Sequence, residues 1–201
     1  MTLKNILPLF AAFLFVAVSC GTARKAAPAA EKHSFPAVDQ GGKTAIVAHR
    51  GFWKCAAAGF AQNSIASLRE AQKQAFWGSE CDVHLTSDNV IIVHHDGDIF
   101  GKDIQHNTYG TFEAYRLKNG EPVPTLDAYL TQAEESDKTR LIIELKPHYA
   151  QDREDLLVDL ALKAVSEHGL MDPSRVLFIS FSKHICDLLA ERCPEFTNQY
   201  L

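Results

Sequence analysis

The sequence has no excess of positive charge. Its 201 residues include 20 Lys and Arg against 25 Asp and Glu, which gives a formal net charge of -5. Proteins that bind nucleic acid mainly by electrostatic attraction are usually basic, so we expect no nucleic-acid partner. Internal repeats are also absent, and a composition of 46% hydrophobic and 22% charged residues is that of an ordinary globular protein. We therefore expect one folded domain.

The first apolar run is too short to cross a membrane comfortably. It extends from Ile6 to Val18 and follows Lys4, a pattern typical of a secretory signal peptide, which we place at residues 1–19. The next letters, AVSCG, resemble the lipobox of bacterial lipoproteins, in which the cysteine, here Cys20, is acylated and becomes the mature N-terminus. An ordinary cleavage site beside a plain cysteine is the alternative.

Residues 20–43 are rich in Ala and Pro and show neither helical nor strand periodicity. This composition is typical of a linker, here one that joins the lipid anchor to the domain at residues 44–201. The lipobox resemblance implies an exported cell-envelope lipoprotein, periplasmic or anchored in the outer membrane. Its contact with the membrane would be the N-terminal lipid anchor.

Cysteine is scarce in the remaining chain, and its pattern is not that of a disulfide framework. Cys55, Cys81, Cys186 and Cys193 follow the linker, and export would permit disulfides among them. Cys186 and Cys193 lie seven residues apart on a predicted helix, a rise of about 10 Å, which is beyond the reach of a disulfide. We expect buried thiols.

Short apolar runs alternate with amphipathic stretches from Lys43 onward. This order predicts an α/β fold with a parallel sheet covered by helices, whose functional residues gather at the C-terminal ends of the strands. The predicted strands are TAIVAH, CDVHL, VIIVH, RLIIELKP and RVLFISF. Helices are predicted from Asn63 or Ser64 to about Phe76, over 126–135, from Glu154 to about His168, and over 183–192.

Acidic residues interrupt two of these apolar strands. Glu80 and Asp82 alternate with apolar neighbours and so share one face of a strand, and Glu144 lies in the fourth strand. Burying three carboxylates without a counter-charge is costly. The pattern therefore predicts one divalent cation held by oxygen ligands, calcium or magnesium rather than zinc. Structural salt bridges to nearby Arg or Lys are the alternative.

Two histidines end predicted strands on the same side of the sheet. His49 closes the first strand and His95 the third, an arrangement suited to a proton acceptor and a proton donor on either side of a reacting bond. Arg50 and Lys146 add positive charge beside the acids. A substrate that pairs with a cation, Arg and Lys is most simply a phosphate ester, although both residues are alternatively counter-charges for the acids.

The motifs, in their order along the chain, resemble those of the glycerophosphodiester phosphodiesterases. They are HRG, QNSIASL, ECDVHLTSD, VIIVHHD, VPTLDAYL, IIELKP and FISFS, from about Ala45 to Ser182. The resemblance implies a TIM barrel that hydrolyses small-molecule glycerophosphodiesters to glycerol 3-phosphate and an alcohol, with a divalent cation. It assigns acid-base catalysis to His49 and His95, metal binding to Glu80, Asp82 and Glu144, and phosphate contacts to Arg50 and Lys146.

Two departures from the family pattern stand out. Gln62 occupies the position before Asn63 where the family usually has Glu, which puts any role of that carboxylate in doubt. In addition, an eight-stranded barrel needs about 250 residues, whereas this sequence offers about five strands. We therefore expect a barrel that is incomplete at its C-terminal side. A catalytically silent lipoprotein with a binding role, or a phospholipase of the sphingomyelinase-D type, are the alternative functions.

Overall fold

A computed structural model describes residues 44–201. The predicted signal peptide, the linker and the lipidation site Cys20 lie outside the described residues. Within 44–201 the strands are β1 (Val47–Ala48), β2 (Gly78–Leu85), β3 (Ile91–Val93), β4 (Asp98–Ile99), β5 (Lys102–Asp103), β6 (Arg140–Leu145), β7 (Val176–Ser180) and β8 (Asn198–Tyr200).

Parallel strands make up most of the main sheet. They follow the order β1-β2-β6-β7-β8, while β3 pairs only with β2. The described residues therefore contain five parallel strands, which is the number predicted. The set differs from the predicted one, because β8 was not expected and β3 does not belong to the parallel order.

The helices follow the predicted pattern closely. They are α1 (Ile65–Lys73), α2 (Leu126–Glu134), α3 (Gln151–Glu167) and α4 (Lys183–Arg192). Ser64 caps α1 by accepting a hydrogen bond from the Ser67 backbone NH, and Thr125 caps α2 in the same way. α1 ends earlier than predicted, because Ala75 adopts a left-handed φ of 49°.

The direction predicted for the third strand was wrong. β3 runs antiparallel to β2, with Val83 opposite Val93 and Leu85 opposite Ile91. A parallel pair needs a crossover of a dozen or more residues, whereas only residues 86–90 separate the two strands. Asn89 takes the left-handed φ of 66° that closes this short turn. The chain therefore doubles back and delivers His95 beside β2.

The main core lies between the sheet and the helices. Cys81, Val83 and Leu85 on one face of β2 pack there with apolar residues of α2, α3 and α4. The opposite face of β2 carries Glu80 and Asp82, as the alternation predicted. The expectation of buried thiols is confirmed for Cys81, Cys186 and Cys193, while Cys55 is partly exposed and all four are free.

A second, smaller core supports the segment between β3 and α2. It is formed by Ile92, Ile99, Ile104, Phe112 and Val123. The β4–β5 hairpin belongs to this segment and forms its own sheet. Within residues 44–201, none of the helices combines the length and the apolar character needed to span a bilayer.

Candidate active site

Three carboxylates converge at one end of the parallel sheet. Glu80 and Asp82 lie on β2, and the strand register places Asp82 opposite Glu144 of β6. One oxygen from each of the three residues lies within 4.8 Å of the others, and all three side chains are buried. The structure thus brings together the residues for which the sequence predicted a cation site.

Asp82 is the best-paired acid of this cluster. Its carboxylate accepts a hydrogen bond from Asn63 Nδ2 at 2.8 Å and lies 2.7 Å from Lys146 Nζ. Burial alone would raise the pKa of Asp82, but these two contacts outweigh it and lower that pKa. Lys146 also contacts Glu144 at 2.6 Å, and although burial opposes its charge, the two acids raise its pKa.

Glu80 is poorly compensated. Its Oε2 accepts a hydrogen bond from the Arg50 backbone NH at 2.7 Å. Its Oε1 is buried and has no hydrogen-bond partner among residues 44–201. Burial, and next the charge of Asp82, raise the pKa of Glu80 to about 8. An ionised Glu80 would therefore be stabilised by a cation near Oε1, the oxygen that has no hydrogen-bond partner among residues 44–201.

A divalent cation fits this donor set. The three side chains offer only oxygen ligands, as calcium and magnesium prefer. Arg50 and Lys146 balance two of the three carboxylate charges, which leaves a formal charge of -1 in a buried site. The cation ligands would be Glu80, Asp82 and Glu144, and the unpartnered Oε1 of Glu80 is the atom that most needs one.

The turn after β1 places His49 and Arg50 beside the acids. Arg50 and Gly51 both have positive φ, 60° and 77°. The Gly51 NH donates to the Glu80 backbone carbonyl at 3.1 Å. A Cβ at Gly51 would lie 2.3 Å from Ser67 Oγ. The turn therefore requires glycine both for its positive φ and for the lack of space for a side chain.

The two histidines differ in their surroundings. The His49 side chain is 69% exposed, and its Nε2 lies 3.9 Å from Glu80 Oε2. Partial burial, and then Arg50, lower the pKa of His49. His95 Nδ1 lies 2.7 Å from Asp96 Oδ1, and this hydrogen bond is the first cause of the lowered pKa of Asp96. Asp96 therefore stays ionised near neutral pH and holds the His95 ring through this hydrogen bond.

Comparison with known proteins agrees with this geometry. Residues 49–200 match the Glycerophosphoryl diester phosphodiesterase family. The chain belongs to this family. Its sheet is thus part of a TIM-barrel-like (β/α) fold, and the predicted fold class is confirmed.

Solved and curated relatives of this family span more than the present chain. A glycerophosphodiester phosphodiesterase from Parabacteroides distasonis is 43% identical with a TM-score of 0.73, and the match covers 77% of this chain and 63% of that one. An Oleispira antarctica phosphodiesterase, solved in complex with the product sn-glycerol-3-phosphate, is 25% identical with a TM-score of 0.64. The match covers 77% of this chain and 64% of that one.

A curated relative gives the same family. YhdW of Bacillus subtilis strain 168, which carries the name of a glycerophosphodiester phosphodiesterase, is 37% identical over 120 residues, covering 53% of this chain and 46% of the relative. The chain therefore spans about half the length of this curated relative and less than two thirds of the two solved ones.

Sequence reasoning missed the site role of Asn63 and singled out Gln62 without foreseeing its contact. Asn63 was considered only as a helix cap, yet it is buried, takes a φ of 53° and holds Asp82 through both ends of its amide. Gln62 accepts a hydrogen bond from Arg50 Nη1 at 2.9 Å. Gln62, at the position where the sequence departs from the family pattern, therefore contacts the arginine.

Lys146 is paired with two acids of the cluster. Its ammonium group lies against Asp82 and Glu144, which is the counter-charge arrangement that the sequence left open as an alternative. The side chain keeps 12% of its surface exposed. The predicted contact between Lys146 and a substrate phosphate stays a prediction.

Proposed function

We propose that this protein hydrolyses glycerophosphodiesters to glycerol 3-phosphate and an alcohol, with one divalent cation. One observation carries the proposal: three buried carboxylates within 4.8 Å of one another lie beside Arg50 and His49 in a member of the phosphodiesterase family. The Oleispira antarctica relative, solved with its product sn-glycerol-3-phosphate, supports this product class.

The charged groups would neutralise the phosphoryl oxygens. A cation bound by Glu80, Asp82 and Glu144 would act as a Lewis acid on the phosphate. Arg50 supplies a guanidinium close to the cluster, with its Nε 3.7 Å from Asp82 Oδ2. Gln62 holds another nitrogen of this guanidinium at 2.9 Å, which restricts its orientation toward a phosphate. Lys146 keeps Asp82 and Glu144 together.

The histidines would move the protons. The lowered pKa of His49, caused first by burial, keeps its imidazole neutral near pH 7, as a proton acceptor must be. Asp96 holds His95 through a 2.7 Å hydrogen bond to Nδ1, which leaves Nε2 free to serve the leaving group. We assign His49 to deprotonation of the nucleophile and His95 to protonation of the departing alkoxide. The P–O bond to the alcohol breaks as the bond to the nucleophile forms.

Release of glycerol 3-phosphate from glycerophosphocholine and from glycerophosphoinositol tests the proposal. We expect release that stops with a chelator and falls by at least about 100-fold in His49→Ala and in His95→Ala. His106→Ala is the matched control, since His106 is exposed and pairs with Asp103 on the β4–β5 segment. Release that persists in both variants would contradict the assignment.

Two further outcomes separate the alternatives. A cyclic phosphate product would show that a substrate hydroxyl, rather than water, is the nucleophile, as in the sphingomyelinase-D type of reaction. Cation-dependent binding of a diester without any turnover would instead favour the silent binding protein. We keep hydrolysis as the proposal because His49, Arg50 and the acidic cluster are all present.

We also propose that the protein is exported and anchored by a lipid on Cys20. This proposal rests on the sequence of residues 1–43 alone. Labelling of cells with a fatty-acid analogue should mark the wild type and leave Cys20→Ser unmarked. Equal labelling of both would contradict the anchor.

A further inference from the structure

An aromatic pocket lies next to the candidate active site. Its volume is about 440 Å³, within the range of small-molecule sites. Trp53, Phe60, Phe100 and Tyr115 line it, together with aliphatic side chains of the second core. Phe60 and Phe100 remain 48% and 76% exposed, so the rim of the pocket presents apolar surface to solvent.

The pocket shares part of its wall with the catalytic machinery. Gln62 lines it, and the same side chain accepts the hydrogen bond from Arg50. His94 lines it as well, directly before His95 in the chain. A phosphodiester bound by Arg50 would therefore have this pocket as its neighbour, and one of its two alcohol groups is the natural occupant.

The charges around the pocket have one sign. Arg116 and Lys118 are its only charged lining residues, and no carboxylate of the described chain lines it. Arg116 Nη1 donates hydrogen bonds to the backbone carbonyls of Glu113 and Tyr115, and no acid of the pocket lining neutralises its charge. The pocket is thus apolar with a positive rim.

Cations of the protein already cover two of the aromatic faces. Lys118 Nζ lies 5.3 Å from the centroid of Phe60, and Lys54 Nζ lies 5.1 Å from the ring of Trp53. Phe100 and Tyr115 stack on each other at 4.8 Å. The rings are therefore not arranged as a free aromatic cage for a quaternary ammonium group.

We propose that this pocket binds the leaving alcohol of the diester and selects alcohols that carry apolar surface and no positive charge. The inference rests on the proposed function and names its substrate class. A cationic head group such as choline would be repelled by Arg116 and Lys118, and no acid in the pocket lining would compensate for this repulsion. Uncharged alkyl or aromatic alcohols can fill the pocket without electrostatic repulsion. We expect a preference of roughly tenfold in kcat/KM.

A pair of isosteric substrates isolates the charge. Glycerophosphocholine and the 3,3-dimethylbutyl ester of glycerol 3-phosphate have the same shape, but only the first carries a positive charge. Their kcat/KM ratio is measured in the wild type, in Lys118→Glu and in Arg116→Glu, since both residues are exposed. Lys102→Glu is the matched control, an exposed lysine of the β4–β5 hairpin outside the pocket lining.

The comparison of ratios removes differences in leaving-group chemistry, because these are the same in every variant. We expect Lys118→Glu to shift the ratio toward choline by about fivefold or more, with little change in Lys102→Glu. A ratio that is the same in all four proteins would overturn the proposal, as would an equal shift in the Lys102→Glu control.

Binding provides a readout that does not depend on turnover. Trp53 lines the pocket, so its fluorescence, identified by its loss in Trp53→Phe, should respond to the neutral ester at lower concentration than to glycerophosphocholine. If neither ester is hydrolysed, the proposed function fails, but the fluorescence titration still tests whether the pocket prefers the neutral ester. No difference in affinity between the two esters would then refute the pocket proposal.

Discussion

Replacement of Glu80 by Gln should stabilise the protein when no cation is present. Glu80 is buried, and its Oε1 has no partner among the described residues. A pKa of about 8 in place of the ordinary 4.5 corresponds to roughly 5 kcal/mol at about 1.4 kcal/mol per pKa unit. Because the folded pKa is raised, the fold is most favoured below pH 4.5 and loses this stability as pH rises through 8.

Glutamine keeps an oxygen to accept the Arg50 NH and removes the charge. In chelator at pH 9, we expect Glu80→Gln to exceed the wild type in free energy of unfolding by about 3–5 kcal/mol, and by less than about 1 kcal/mol at pH 5. Added calcium or magnesium should narrow this difference, since a ligand at 100 times its Kd contributes about 2.7 kcal/mol to the wild type only. Urea unfolding followed by circular dichroism measures the free energies of unfolding of the two proteins, in chelator and with added cation.

One result would refute this reasoning directly. If Glu80→Gln is less stable than the wild type at pH 9 in chelator, or if the difference is the same at pH 5 and pH 9, the carboxylate is not the uncompensated buried charge that the structure describes.

Three other substitutions test separate parts of the structure. Gly51→Ala should lower the free energy of unfolding by about 2–4 kcal/mol in urea titrations, because its φ of 77° and the 2.3 Å approach to Ser67 Oγ leave no room for a Cβ; a loss below about 0.5 kcal/mol would contradict this. Asn63→Ala should weaken cation affinity about tenfold or more, because it removes the hydrogen bonds that orient the ligand Asp82. An unchanged affinity in calorimetric titration would exclude that role. Burial lowers the pKa of His84 to about 4, so the free energy of unfolding should fall by about 3 kcal/mol as pH falls from 6.5 to 4. His84→Gln should remove this loss, and curves of unfolding free energy against pH that run parallel for the two proteins would contradict it.

The convergence of the acids was predictable from the sequence because strand geometry fixes the face of every residue. In GSECDVHL, Glu80 and Asp82 must lie on one face and Cys81 and Val83 on the other. In β6, Glu144 follows three consecutive apolar residues, and the parallel register places it opposite Asp82. The helix starts were predictable for a similar local reason, as Ser64 caps α1.

Strand direction and long-range polar contacts were less accessible. An apolar run such as VIIV does not encode its direction, and only the shortness of the 86–90 link shows that β3 must turn back. The short strand β8 has no apolar pattern and pairs only through β7. The contact between Asn63 and Asp82 joins residues that are 19 positions apart, with a backbone conformation that the letters alone do not specify.

Calorimetric titration of calcium or magnesium into the chelator-treated protein tests the central claim most directly. The structure predicts one site per chain, lost in Asp82→Asn and in Glu144→Gln. It also predicts release of about one proton on binding near pH 7, detected with buffers of different ionisation enthalpy, because Glu80 with its pKa of about 8 must ionise. Absence of binding, or binding that both variants retain, would contradict the account.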